Sequence, residues 1–313
     1  MFRQAFAWPE AQPATPFHFQ KKVEKMDRAK EIYQAAQAAG GSFKTVSQRA
    51  AMVARIFDEL RQKQNIQVHS LQKLKLSQIE TYVASRIEDG LGKRTLQNQM
   101  SALRTCLQAI GRETLLKQDR FSNKALGIAD ASRYGTKTAM SNDKFDQLIS
   151  QLEKMDKGVA ACAHLERWLG LRGEEAVRSV ESLKSWQKQI EAGLPVRVVF
   201  GTKGGRPRDT RVVNKEMAAK AVQNALKVMK AQGGKLVDKP SLHQAMNRLA
   251  YVMRQCGAIG KDSAHSLRYA FTADRVESYR REGFTERESL AMTSTDLGHG
   301  DGRGTYVAQV YLK

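Results

Sequence analysis

The chain has 313 residues, 41% of them apolar, enough for more than one hydrophobic core, so two folded units are expected. Lys and Arg number 52 against 32 acidic residues, a formal charge of +20 that suits a polyanion such as nucleic acid; ribosomal proteins, RNA enzymes and membrane-surface proteins share such an excess. No run approaches the ~20 uninterrupted apolar residues of a membrane span, the N-terminus lacks a signal-peptide pattern, and Cys106, Cys162 and Cys256 form no CxxC pair or metal-ligand spacing. A membrane span, a disulfide framework and a cysteine metal site are thereby excluded, and the expected setting is a reducing cytoplasm.

In chain order, the segment from Met1 to about Phe19 is broken by Pro9, Pro13 and Pro16 and reads as an irregular arm. Lys21 to Ala39 is rich in Lys, Glu, Ala and Gln and predicts a helix stopped by Gly40-Gly41, giving an arm-plus-helix segment over residues 1–41. Residues 42–111 predict a helical bundle. Val46, Ala50, Val53, Phe57 and Leu60 step by four and three, as do Leu96, Met100, Leu103, Leu107 and Ile110, with a shorter stripe at Leu76, Ile79, Val83 and Ile87 between them. Ser77 with Glu80 reads as a capping box for the middle helix, and Gly111 as the stop of the third.

Residues 112–140 lose this period and read as a linker. A second domain, residues 141–313, opens with N-cap residues Ser141-Asn142-Asp143 before an apolar face of Phe145, Leu148, Ile149, Leu152 and Met155. Pro195 to Phe200 and Thr210 to Val213 are β-branched runs around TKGGRPRD, which predicts a hairpin with a basic, glycine-rich tip. Helical patterns resume near Lys215, at Ser241 to Cys256, Ala264 to Arg281, Glu286 to Met292 and Tyr306 to Tyr311. The fold class is mainly α, with one small antiparallel sheet in the second domain.

Taken singly, the chemical residues have plain explanations. Arg172 in LGLRGEE reads as a surface arginine paired with Glu174 or Glu175. Lys203 in GTKGGRPR reads as a solvated turn or, beside Gly-Arg-Pro, a minor-groove hook. His265 and Arg268 of AHSLRYAF share a helix face, His299 of DLGHGDGRG sits in a glycine-rich turn, and Tyr306 and Tyr311 sit in a short amphipathic helix. In order, however, Arg172, Lys203, His265, Arg268, His299 and a late tyrosine resemble the tyrosine recombinase (phage integrase) family. LGLRGEE resembles its GLRxxE segment, HSLRYAF its HxLRHxF segment with Tyr269 where a second His is common, DLGHG its LGH segment, and AQVY its tyrosine-bearing helix. The bundle of residues 42–111 resembles its core-binding domain, which closes on the opposite side of the DNA.

The resemblance implies a recombinase that cuts and rejoins DNA through a covalent phosphotyrosine, with no cofactor, no metal and no ATP. Arg172 and Arg268 would clamp phosphate oxygens with their planar forks, Glu175 would support the fold around the arginine, and Lys203 would protonate the leaving 5′ oxygen. His265 and His299 would bond the phosphate or handle the tyrosine proton. Tyr311 is the expected nucleophile on local context, and Tyr306, five helical steps away and about 140° round the helix, is not expected to face the same phosphate. Lys93, Arg94, Arg206, Arg208 and Arg211 would hold DNA phosphates. The implied partners are duplex recombination sites, a tetramer of this chain on DNA, and an accessory DNA-bending protein, in a bacterial or phage-type nucleoid. A type IB topoisomerase, a telomere resolvase, a non-catalytic integrase relic and a metal-dependent nuclease stay as alternatives.

Overall fold

The computed structural model describes residues 28–312; the expected arm before Phe19, and the first part of the helix expected from Lys21, lie outside them. The chain divides into two compact units, one up to Ser132 and one from Arg133. No described helix is long and apolar enough to cross a membrane.

The first unit is all helical: α1 (residues 28–38), α2 (Phe43–Gln64), α3 (Leu76–Glu88), α4 (Lys93–Ala109) and the single turn α5 (Glu113–Leu116). Ser42 caps α2 by accepting a hydrogen bond from the Thr45 N–H, and α2 buries Val46, Val53, Ile56, Phe57 and Leu60 along one stripe. That stripe meets Leu96, Met100, Leu103, Cys106 and Leu107 of α4 and Ile79 and Val83 of α3. The expected capping box at Ser77 is displaced: α3 begins two residues earlier, and the Gln78 side chain accepts from the Lys75 N–H instead. Ile87, expected in the α3 stripe, is exposed, because the helix ends one residue later. Leu115, Phe121, Leu126 and Ile128 join the same core, so much of the stretch expected as linker is packed rather than free. Those four apolar residues lack a helical period but still find a hydrophobic surface to cover.

The second unit has α6 (Asn142–Met155), α7 (Lys157–Leu169), α8 (Gly173–Val177), α9 (Leu183–Glu191), strands β1 (Val196–Val198) and β2 (Arg208–Thr210), then α10 (Lys215–Ala231), α11 (Leu242–Gln255), α12 (His265–Arg281), α13 (Glu286–Asp296) and α14 (Gly304–Tyr311). Helix α7 is its centre, with ten of its residues buried, flanked by α6, α10 and α12. Ser141 caps α6 as expected, while Met155 ends on the surface rather than in the apolar face. The strands pair antiparallel with Val196 opposite Thr210 and Val198 opposite Arg208. The second strand therefore lies nearer the tip than the β-branched run Thr210 to Val213 suggested; Val212 and Val213 only flank the cores. The Trp186 indole N–H donates to the Arg197 carbonyl (2.8 Å) and ties the hairpin to α9. At the opening of the unit the Gly135 N–H donates to the Gln309 carbonyl of α14 (3.1 Å).

Candidate active site

The second unit places a cluster of charge around one buried carboxylate. Gly170 caps α7 in the left-handed region, and the chain turns through Leu171 into Arg172, the N-cap of α8. Three residues on, Glu175 accepts the Arg172 N–H at Oε2 (2.8 Å) and the Arg172 guanidinium at Oε1 (2.7 Å). Its Oε2 also accepts from Arg208 (2.6 Å) and lies 3.9 Å from Arg268. Burial pushes the Glu175 carboxyl up, but Arg208, Arg268, Arg172 and the backbone N–H outweigh that and hold it below its ordinary value. It is therefore a charged, fully buried hub for three guanidinium groups.

Arg268 comes from the first turn of α12 and is completely buried. One terminal nitrogen donates to the Gly170 carbonyl and the other to the Leu297 carbonyl. Arg172, 23% exposed, reaches the same Leu297 carbonyl at 3.4 Å. That carbonyl belongs to the segment leading into His299, so both arginines are held against the loop that carries the histidine.

His299 and Tyr311 meet directly, Nε2 to Oη 3.0 Å. Desolvation, then Arg268, Arg172, Arg208 and Lys203, push the His299 imidazole down to about 3, so it is neutral over the physiological range. His265, at the exposed start of α12, is pushed down to about 4 by desolvation and by Arg268, Arg172 and Lys137. Its ring lies 5.5 Å from Tyr269 and 6.1 Å from Tyr311. The ring of Tyr269, where the sequence departs from a second histidine, lies 4.6 Å from that of Tyr311, tilted by 53°. Burial, then the other two tyrosines, raise Tyr269 to about 12, which keeps it a neutral phenol.

Tyr311 is buried, whereas Tyr306 is 38% exposed. The expectation that the two tyrosines point to different sides of α14 is corrected. Their rings lie 6.3 Å apart and flank His299, at 4.9 Å for Tyr306 and 5.7 Å for Tyr311. The rotation between their Cα positions is offset by side-chain length, because both long rings lean toward the same imidazole. The phenolic oxygen bonded to His299 is that of Tyr311.

The basic residues divide. Lys203 and Arg206 are exposed in the turn between β1 and β2, and Lys203 is near enough for its charge to bear on His299. Lys93 and Arg94 are exposed at the start of α4 in the first unit. Arg211 is exposed and lines a groove of about 400 Å³ with Lys215 and Arg275. Arg208, expected among the phosphate-holding residues, is a correction: it is buried, and its guanidinium is taken by Glu175 Oε2 (2.6 Å), the Gly170 carbonyl (3.3 Å), the Asp296 carbonyl (3.2 Å) and Thr210 Oγ1. Strand alternation points it inward, opposite to its exposed neighbour Asp209.

Two acids escaped the sequence reading. The Asp296 carboxylate, at the end of α13, accepts from Arg275 Nε (2.9 Å) and Tyr279 Oη (2.9 Å) and so anchors the helix end before His299. Its place in DLGHG, with Arg275 seven residues after Arg268 on the same helix, was the available signal. Glu166 of α7 is buried, and burial, then Glu175, raise it to about 8 against the pull of Arg268. Nothing in its local sequence marks it. Among the described residues no group of three His, Cys, Asp or Glu could hold a metal ion.

The chain matches known sequence families and a known fold. The model described as "Integrase" matches residues 127–274 and that described as "Phage integrase, N-terminal" matches residues 26–116. The chain belongs to the phage integrase family, the tyrosine recombinases. It is similar in fold to the Tn1549 transposon integrase solved with transposon right end DNA, with TM-score 0.55 and 13% identity over 90% of this chain and 94% of that one. A lambda integrase tetramer bound to a Holliday junction aligns with TM-score 0.57 and 12% identity over 94% of this chain and 83% of that one. A lambda integrase dimer on a COC′ core site gives 0.56 and 14% over 94% and 81%. No curated protein matches the sequence.

Proposed function

We propose that the chain is a site-specific DNA recombinase that cleaves and rejoins DNA through a covalent 3′-phosphotyrosine on Tyr311, using neither metal nor ATP. The observation that carries this reading is the 3.0 Å contact between His299 Nε2 and Tyr311 Oη beside the Arg172–Arg268–Glu175 cluster. Tyr311 Oη attacks the scissile phosphorus, and the bond to the 5′ oxygen breaks. The phenol's proton passes to the neutral His299 Nε2, and the departing 5′ oxygen takes a proton from Lys203. Arg172, the partly exposed arginine, faces the charge that builds on the non-bridging oxygens with its guanidinium fork, and Arg268, buried against Tyr311 with its terminal nitrogens on the Gly170 and Leu297 carbonyls, adds a fixed positive charge from behind. His265 adds a hydrogen bond to the same oxygens. The tyrosyl ester keeps the energy of the broken bond, so the 5′ hydroxyl of a second DNA end reverses the step without an outside energy source.

The DNA partner follows from charge and family: Lys93, Arg94, Arg206 and Arg211 are exposed cations, and the solved neighbours include an integrase tetramer on a junction and an integrase dimer on a core site. Assembly of this chain into a tetramer on paired sites belongs to the same proposal, as does an accessory DNA-bending protein. A nicked suicide duplex tests the chemistry. Wild type should accumulate a covalent protein–DNA adduct in EDTA, Tyr311→Phe should bind DNA but form none, and Tyr306→Phe should retain adduct formation. Cleavage that EDTA abolishes, or a nucleotide mapped to another residue, would overturn the assignment.

A further inference from the structure

Lys203 stands on an exposed turn of nine residues, 199–207, between two three-residue strands, and so short a ladder does little to hold its tip. Trp186 ties the hairpin to α9, and one buried side chain ties it to the segments that carry Arg172 and His299. The Arg208 guanidinium bridges Glu175 of α8, the Gly170 carbonyl at the end of α7, and the Asp296 carbonyl at the end of α13, while donating to Thr210 Oγ1 of its own strand. Thr210 repeats one of those ties, its hydroxyl donating to the same Asp296 carbonyl at 2.9 Å.

Two glycines mark how closely this joint is fitted. A Cβ on Gly201, in the Lys203 turn, would come 2.6 Å from the Glu174 carbonyl oxygen and 2.8 Å from the Glu175 nitrogen, so the turn rests on the α8 backbone. A Cβ on Gly298, next to His299, would come 2.5 Å from Arg208 Cδ. The hairpin is thus pressed between the Arg172 turn on one side and the His299 loop on the other. A guanidinium suits this place because its five donors spread in a plane can satisfy acceptors on three segments at once, whereas an ammonium offers three donors at one point.

We propose that Arg208 is a positioning residue that registers the Lys203 hairpin on the Arg172 turn and the His299 loop, and thereby delivers the proton donor to the 5′ oxygen. The inference rests on the reading of Lys203 as that donor. Arg208 itself touches neither DNA nor the reacting atoms. Its loss therefore acts through the misplaced lysine, and the signature is chemical: a leaving group that needs no proton restores the rate.

The test compares an ordinary scissile phosphate with one carrying a 5′-bridging sulfur, on the full-length chain. Arg208→Lys should slow cleavage of the oxygen substrate on the order of a hundredfold, the usual consequence of a displacement near 1 Å at a reacting centre. With the sulfur substrate it should return to within a few-fold of wild type, as Lys203→Ala should and Arg172→Ala should not. Thr210→Val keeps the volume and removes both the bond to the Asp296 carbonyl and the acceptor for Arg208, and should lose on the order of tenfold or more on oxygen, with the same rescue; it serves if Arg208→Lys does not fold. Equal slowing of Arg208→Lys on both substrates, or an unaltered oxygen rate in Thr210→Val, would overturn the positioning role while Lys203→Ala is still rescued. Failure of sulfur to rescue Lys203→Ala would instead remove the proton-donor reading, and this inference with it.

Discussion

The two units keep charge in opposite ways. In the first, the buried polar side chains among the described residues are Arg28 and Gln99, and the rest of the core is Val, Ile, Leu, Phe, Ala, Met, Tyr and Cys. The second buries Glu166, Arg167, Glu175, Arg208, Arg268, Arg275 and Asp296. Burying an ion is costly unless it is paired, and replacing such a pair with apolar residues is often neutral or stabilising, so stability alone does not account for the second arrangement. A surface that only recognises phosphates can leave its cations in water. A site that must hold guanidinium groups still while charge develops on phosphorus gains from fixing them in the interior.

Breaking the buried hub should have the largest effect. Glu175→Leu leaves Arg208 and Arg268 without their shared carboxylate and should cost about 3–5 kcal/mol in the thermal unfolding of the second unit, abolishing cleavage as well. A loss confined to cleavage, with the melting transition unmoved, would contradict the hub. The matching cut in the first unit is Leu103→Ala, an apolar cavity expected to cost about 2–5 kcal/mol by chemical denaturation. Unlike Glu175→Leu, it should leave adduct formation by the remaining folded protein intact.

Acidity sharpens the contrast further. His299 and His265 are pushed to about 3 and about 4, below the unfolded value near 6.5. The unfolded chain therefore takes up protons first, and their contribution to stability, present above about pH 6.5, is lost as pH falls toward these values. His299 should carry most of this effect, because His265 is exposed. Glu166 runs the other way: raised to about 8, it favours the folded state below its unfolded value near 4.3 and loses that contribution as pH rises through about 8. Calorimetry across pH on the DNA-free protein should show both limbs, with His299→Gln flattening the acid side and Glu166→Gln the alkaline side. Smallest of all should be Lys203→Ala, at an exposed turn, within about 0.5 kcal/mol in stability while cleavage slows strongly. A large stability change there would mean that the lysine helps to hold the hairpin.

The helices were the legible part of the sequence because apolar stepping reports burial directly. Val53, Phe57, Leu60, Met100 and Leu107 all lie in the core that their spacing implies. The stretch 112–140 was less legible, since Phe121 and Ile128 bury themselves without a regular period. In the site, Arg172 and Arg268 are brought together around Glu175 and the Leu297 carbonyl, and the rings of His265 and His299 lie beside Tyr311. Their order was visible because each sits in a local motif. The fate of Arg208 was not: three arginines crowd the stretch from Arg206 to Arg211, and composition cannot tell which one faces inward. The strand's extension back to Arg208, which puts it on the same face as the buried Thr210, decides it. The relation of Tyr306 to Tyr311 was misjudged for a similar reason, since helical angles locate Cα atoms and not ring tips.

The bond from the Gly135 N–H to the Gln309 carbonyl joins the opening of the second unit to its last helix. Its two ends therefore lie side by side, and the backbone path from Arg133 to Leu312 is nearly a closed circle. Such a layout tolerates re-cutting: a short bridge could join the ends and new termini could be opened at Gly233-Gly234, in the turn after α10, without pulling apart any helix. In that permuted unit α14, which carries the proposed nucleophile Tyr311, would run on through the bridge into the segment that opens the unit.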